Sequence, residues 1–141
     1  QTNDQKWIRE VFNLNSFKFE KKSDYIKTRI KYIRKETDKK LIVYSCEGLS
    51  GHPWQRGNDS FEFVRKIFSV VPDAIIMICI RNQKSTINSY YHQYLIEGGL
   101  ATQNEFMQKA IEDLSGFFSL EHLKYSRLLE LYINQFGKNI K

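Results

Sequence analysis

Proline and glycine are scarce in this 141-residue chain, with two and seven copies. That scarcity excludes a long linker or a low-complexity tract and leaves room for one domain with one core. Cysteine is scarcer still: Cys46 and Cys79 are the only two. Two thiols do not make a disulfide framework, and both lie in or beside apolar runs, where a thiol acts as a small core residue. A reducing, cytoplasmic setting is therefore expected. No apolar run approaches the ~20 residues that cross a bilayer, so no membrane span is expected. No signal peptide or internal repeat is read in this sequence, and none is expected. His52, His92 and His122 are far apart, and no Cys/His pair has ligand spacing, so no metal site is expected. The first residue is Gln, not Met, and the chain is read as a processed product or a fragment.

The net charge is +6, and its distribution is uneven. Between Lys18 and Lys40 stand ten Lys or Arg and four Asp or Glu, which accounts for the whole excess. Such a segment attracts polyanions or a phosphorylated small molecule; the plainer reading is a solvated helix face.

Residues 1–22 are aromatic and mixed, with no clean period. Ser23 reads as the N-cap of a helix over 24–35, in which Ile26, Ile30 and Ile33 form one buried stripe. The apolar run 41–45 reads as a strand, and 46–58 as a polar loop broken by Gly48, Gly51, Pro53 and Gly57. Asp59 or Ser60 caps a helix to about 68, and Pro72-Asp73 makes a turn. The run 74–80 is the strongest strand signal, its continuous apolar character suiting a strand covered on both faces. Helices follow over 84–96, stopped by Gly98-Gly99, then over 103–114 and 120–136. Strand, helix, strand, helix predicts a βαβ unit with a right-handed crossover. The expected fold is thus α/β: a three-layer, P-loop-like fold with a short parallel sheet flanked by helices and a helical C-terminal part. Ligands in such folds bind outside the carboxyl ends of the strands. Here those ends are the loop after Ser45 and the turn at Arg81.

Arg81 breaks the apolar run abruptly and precedes a helix. A guanidinium fork, the donors of a first helical turn and a hydroxyl on the helix suit a phosphate. Arg81, seven residues, Ser89 and then Tyr90, at the end of an apolar run, resembles the 3′-phosphate motif of sulfotransferases. Arg81-Asn82-Gln83 and Tyr91-His92-Gln93-Tyr94 are most similar to the bacterial, carbohydrate-type branch. The run 41–51, with Glu47 after the first strand, is similar to that family's strand followed by an acidic residue.

The resemblance implies a transfer of a sulfuryl group from 3′-phosphoadenosine 5′-phosphosulfate to a hydroxyl or amine, with a carbohydrate as acceptor. Adenosine 3′,5′-bisphosphate is the spent cofactor. Arg81 and Ser89 are then the cofactor-binding pair. Glu47 is the catalytic base, with His52 in the same loop as the alternative. Trp54 is a candidate for stacking on a sugar, and Tyr125 and Ser126 are candidates for approaching the nucleotide. Nucleic acid is not expected as a partner.

The family's Lys-bearing Gly/Ser/Thr turn for the 5′-phosphosulfate does not occur in the chain. The domain spanning 1–141 is therefore read as incomplete, inactive on its own, and left with an exposed sheet edge that favours a homodimer. The competing function is a non-catalytic nucleotide- or polyanion-binding domain using Arg81 and the basic segment.

Overall fold

The computed structural model describes residues 3–38, 40–55, 57, 59–112 and 118–137; the side chains of 3–5, 47 and 55 lie outside the description. The described residues form six α-helices and three short 3-10 turns: α1 (Asn3–Phe12), α2 (Ser16–Glu36), α3 (Ser60–Val70), α4 (Gln83–Ile96), α5 (Gln103–Ile111) and α6 (Tyr125–Phe136), with turns at Glu47–Ser50, Pro53–Gln55 and Leu120–Leu123.

Helix α2 starts eight residues earlier than the Ser23 cap implies. Asn15 takes the capping role, its side-chain oxygen accepting from the Lys18 N–H at 2.9 Å. An Asn in extended backbone satisfies one of the four free donors of a helix start as well as a Ser does. The earlier start brings Phe19 into the buried stripe with Ile26 and Ile30. Arg34 and Lys35 close the helix where its dipole favours cations. Helix α1 has no counterpart in the expectation. Its Ile8, Val11 and Phe12 are buried in the core, and Trp7 packs against it. Helix α5 opens with a reciprocal capping box between Thr102 and Glu105.

Helix α3 is the centre of the first core. Phe63, Val64, Ile67 and Val70 are buried, and the helix packs on α1, α2 and α6. Lys66 is buried on the same helix, with 7 % of its surface exposed. Its Nζ donates to the carbonyls of Leu14 (2.6 Å) and Phe12 (3.3 Å) and lies 3.5 Å from Glu62. The ammonium thereby meets carbonyls that the end of α1 leaves without helical partners. A second cluster joins Phe106, Ala110, Phe118 and Leu123 to Trp54, Tyr90, Tyr91 and Tyr94.

The α/β expectation is wrong. Among the described residues there is no strand and no sheet, only an isolated bridge residue at Ile76. The three-layer, P-loop-like architecture, the parallel pair and its crossover are therefore not observed, nor is the sheet edge on which the homodimer was to form. The two apolar runs remain extended with a period of two. Ile42 and Tyr44 are half-buried between exposed Leu41, Val43 and Ser45, and Ala74, Ile76 and Ile78 are half-buried between exposed Ile75, Met77 and Cys79. Tyr44, Ala74, Ile76 and Ile78 pack on the first core. Run 74–80 is thus covered on one face, not two. The physical reason is that apolar content signals a need for burial. A ladder needs in addition a neighbouring backbone about 4.8 Å away in matching register.

Candidate functional site

Arg81 lies in the short link between the run 74–80 and α4, and it is exposed. Among the described residues no carboxylate pairs with it. The next residue, Asn82, is the N-cap of α4. Its side chain accepts from the Ser85 N–H at 3.2 Å, and its carbonyl accepts the hydroxyls of Ser85 and Thr86, both at 2.9 Å. One first-turn donor that an incoming phosphate would use is therefore already satisfied. Gln83 donates to the Leu123 carbonyl at 2.9 Å, which ties the start of α4 to the turn at Leu120–Leu123. Ser89 is exposed on α4, one turn beyond Ser85 on the same side of the helix. Both members of the expected phosphate pair are thus open to solvent, on a link and a helix that are anchored. Neither lines either of the two hollows described below.

Glu47 opens the 3-10 turn Glu47–Ser50. Its side chain lies outside the described residues. The loop that carries it is held at three points. The Tyr132 hydroxyl donates to the Leu49 carbonyl at 3.0 Å, and the Ser60 hydroxyl to the Ser50 carbonyl at 2.7 Å. The Asp59 carboxylate accepts from the His52 N–H at 3.0 and 3.2 Å. Burial pushes the Tyr132 hydroxyl up to about 12, so it stays protonated and donating across the neutral range. Gly51 has φ +98, and a side chain there would collide with the Ser60 hydroxyl. These clamps are what the sequence reading missed. Asp59 and Ser60 read as helix caps, and Tyr132 lies within the expected helix over 120–136 without being singled out. Only the residue separations of 7, 10 and 83 across these bonds, invisible in a linear pattern, reveal them.

The remaining candidates take structural parts. His52 is exposed, and its Nδ1 accepts from the Trp54 N–H at 3.3 Å, a local turn contact. Trp54 sits against Tyr90 and edge-on to Phe118, with ring centroids 6.2 and 6.1 Å apart. It closes the second cluster and is only partly open to a sugar. Tyr125 packs on that cluster at the start of α6, while Ser126 is exposed. Among the described residues, Arg81, Ser89, Trp54 and Tyr125 line neither of two hollows. A hollow of about 20 Å³ lies between Ser50, Gly57, Ser60, His122 and Arg127, room for about one water. A shallow groove of about 530 Å³ runs between Arg29, Tyr32 and Glu36 of α2 and residues 41–43. No cluster of His, Cys, Asp and Glu among the described residues could hold a metal ion. No helix among them is long and apolar enough to cross a membrane.

Compared with models of protein families, with curated proteins and with solved structures, the chain matches none.

Proposed function

We propose that this chain carries the 3′-phosphonucleotide site of a sulfotransferase, with Arg81 and Ser89 as the phosphate ligands. The observation that carries the reading is an exposed guanidinium at the mouth of a 14-residue helix, without a carboxylate partner among the described residues. With no acid beside it among the described residues, its fork of donors is available to an anion from solution. Ser89, exposed eight positions on, supplies a hydroxyl donor. The donors present fit a ribose-linked phosphate. They do not include a Lys-bearing loop for the 5′-phosphosulfate.

In this reading Glu47 is the base. Its loop is preorganised by Tyr132, Ser60 and Asp59, which is what a catalytic group needs from its support. It takes the proton of an acceptor hydroxyl or amine, on a carbohydrate by resemblance, as that group attacks sulfur. 3′-Phosphoadenosine 5′-phosphosulfate supplies the sulfuryl group, whose bond to the 5′-phosphate breaks as the new bond to the acceptor forms. His52 is the weaker base, because its Nδ1 is engaged with Trp54. The cytoplasmic setting belongs to the same reading, and the free thiols of Cys46 and Cys79 are compatible with it.

The second reading, a polyanion-binding domain, draws on α2. Its exposed side carries Phe17 with Lys21 4.4 Å from the ring centroid, and Tyr32 with Arg29 at 5.7 Å. Titration with adenosine 3′,5′-bisphosphate, followed by calorimetry, separates the two. The first reading expects saturable 1:1 binding that Arg81→Ala weakens at least about tenfold, the effect of losing one charge-assisted contact. Affinity unchanged by Arg81→Ala, together with steeply salt-dependent binding of heparin, would overturn it in favour of the second.

A further inference from the structure

Helix α2 buries Phe19, Ile26 and Ile30, and the side turned away from that stripe carries rings as well as charges. Phe17 is 66 % exposed, Tyr25 61 % and Tyr32 53 %. Separations of eight and seven residues keep the three rings on one face and spread them over about 22 Å of helix. Cations are interleaved with them. The Lys21 ammonium lies over the Phe17 ring, 4.4 Å from its centroid, and the Arg29 guanidinium lies over the Tyr32 ring at 5.7 Å. Lys35, exposed in the last turn, falls on the same side as Phe17. Tyr25 is braced by Trp7 of α1, which meets it edge-on with ring centroids 6.5 Å apart. Along its whole length α2 holds eight Lys or Arg against three Asp or Glu.

We propose that this face of α2 docks on an anionic lipid surface, the helix axis lying in the plane of the headgroups. The excess of cations complements a negatively charged leaflet, which attracts basic side chains within a Debye length. The three rings supply what charge alone does not: a Phe or Tyr ring settles at the boundary between headgroups and acyl chains, with the tyrosine hydroxyl left in water. The two cation–ring pairs also select against the other common polyanion. A single-stranded nucleic acid binds by stacking bases on open ring faces. Here one face of Phe17 and one face of Tyr32 are already covered by a cation, whereas insertion between headgroups leaves those pairs intact. The shape agrees, because the outer face of a long helix is convex along a straight line and meets a flat surface over its whole length. The helix is anchored in the first core through Phe19, Ile26 and Ile30, so the face is formed before it docks. The inference does not depend on the nucleotide reading, and it sets a lipid surface against the soluble polyanion considered above.

Co-sedimentation with vesicles tests it, using phosphatidylcholine alone and phosphatidylcholine with about one quarter phosphatidylserine. The expected result is binding to the second and not to the first, weakened by added salt. Lys21→Gln with Arg29→Gln should lower the partition coefficient at least about tenfold, the effect of removing two basic residues from a charged surface. Phe17→Ser with Tyr32→Ser should lower it by a similar factor at unchanged net charge, a loss that a purely electrostatic contact would not show. Circular dichroism should show both double variants folded. Leu100→Ser, at a position 95 % exposed outside α2, should leave binding unchanged. Equal binding to the two vesicles, or binding to neither, would overturn the proposal. So would binding indifferent to the loss of both rings, or binding lost in Leu100→Ser. Tighter binding of a single-stranded RNA or of heparin than of the anionic vesicles, at equal anionic charge, would overturn it in favour of a soluble polyanion.

Discussion

The two cores of this molecule are built from different materials. The first, around α3, is largely aliphatic, with Ile8, Val11, Ile26, Ile30, Val64, Ile67 and Val70 buried beside a few rings. The second is a network of rings. Phe106 and Phe118 stack 6° from parallel at 5.8 Å, Tyr91 and Tyr94 tilt onto Phe106 at 5.4 and 5.3 Å, and Tyr90 meets Phe118 at 4.8 Å. Aliphatic burial is non-directional and scales with area, whereas rings add a preference for offset or edge-on geometry. The lesson lies in α4. Its sole buried residue is Thr86, and it packs through the half-buried Ile87, Tyr90, Tyr91 and Tyr94, spaced as one helical face. The Tyr91 hydroxyl donates to the Ala101 carbonyl at 3.3 Å and the Tyr94 hydroxyl accepts from the Ala101 N–H at 3.1 Å, so the helix is held in place and still shows Ser85, Ser89 and His92 to solvent.

That contrast can be broken first at Phe106, which is fully buried. Phe106→Ala should cost about 3–5 kcal/mol, because the surrounding rings of Tyr91, Tyr94 and Phe118 cannot collapse into the gap. Urea denaturation should show the loss. Hydrogen exchange should place it first in α4 and α5, leaving the amides of α3 protected. Equal loss of protection in both cores would mean that they unfold as one.

A smaller effect is expected in the first core. Lys66→Met retains the volume and removes the ammonium from the Phe12 and Leu14 carbonyls. A stability loss of about 1–3 kcal/mol is expected, with fraying of α1 read by exchange of its last amides. Wild-type stability in this variant would show that the aliphatic core, not the ammonium, holds α1.

The smallest effect should be the Arg34–Asp73 pair, whose side chains are 44 % and 67 % exposed. The hydrogen bond from Arg34 holds the Asp73 carboxyl below its usual value of 3.8. A folded-state value depressed in this way gives stability that is complete above the unfolded value and is lost as pH falls through the folded one. Solvent screening keeps the contribution under about 1 kcal/mol. Asp73→Asn should therefore lower the melting temperature slightly at neutral pH and make no difference once pH drops below the folded-state value. A gap between the two proteins that persists in acid would show that the pair acts through something other than its charge.

Much of the helical content was legible. The segments over 24–35, 60–68, 84–96, 103–111 and 125–136 follow from periodicity, caps and the glycines after them. Two errors came from local competition. Asn15 outbid Ser23 because a longer amphipathic stripe, including Phe19, was available upstream. Residues 120–124 turned as 3-10 because Ser119 caps Glu121 locally at 3.1 Å, delaying α6 to Tyr125. The sheet was the larger error, and it carried the expected ligand rim with it. Of the candidate site, Arg81 and Ser89 are exposed, whereas Trp54 and Tyr125 are committed mainly to packing.

Sequence alone determined roughly where the helices after α1 stand, that α2 carries an apolar stripe, and that Arg81 ends an uncharged run just before a helix start. These are short-range properties, set by dihedral preference, spacing and capping within a few residues. Tertiary structure alone decided that runs 41–45 and 74–80 would be covered on one face only, that Tyr132 would clamp a loop 83 residues away, and that Lys66 would finish α1. Those outcomes depend on which segments meet in space, and a pattern along one chain specifies the demand for burial without naming the neighbour that meets it.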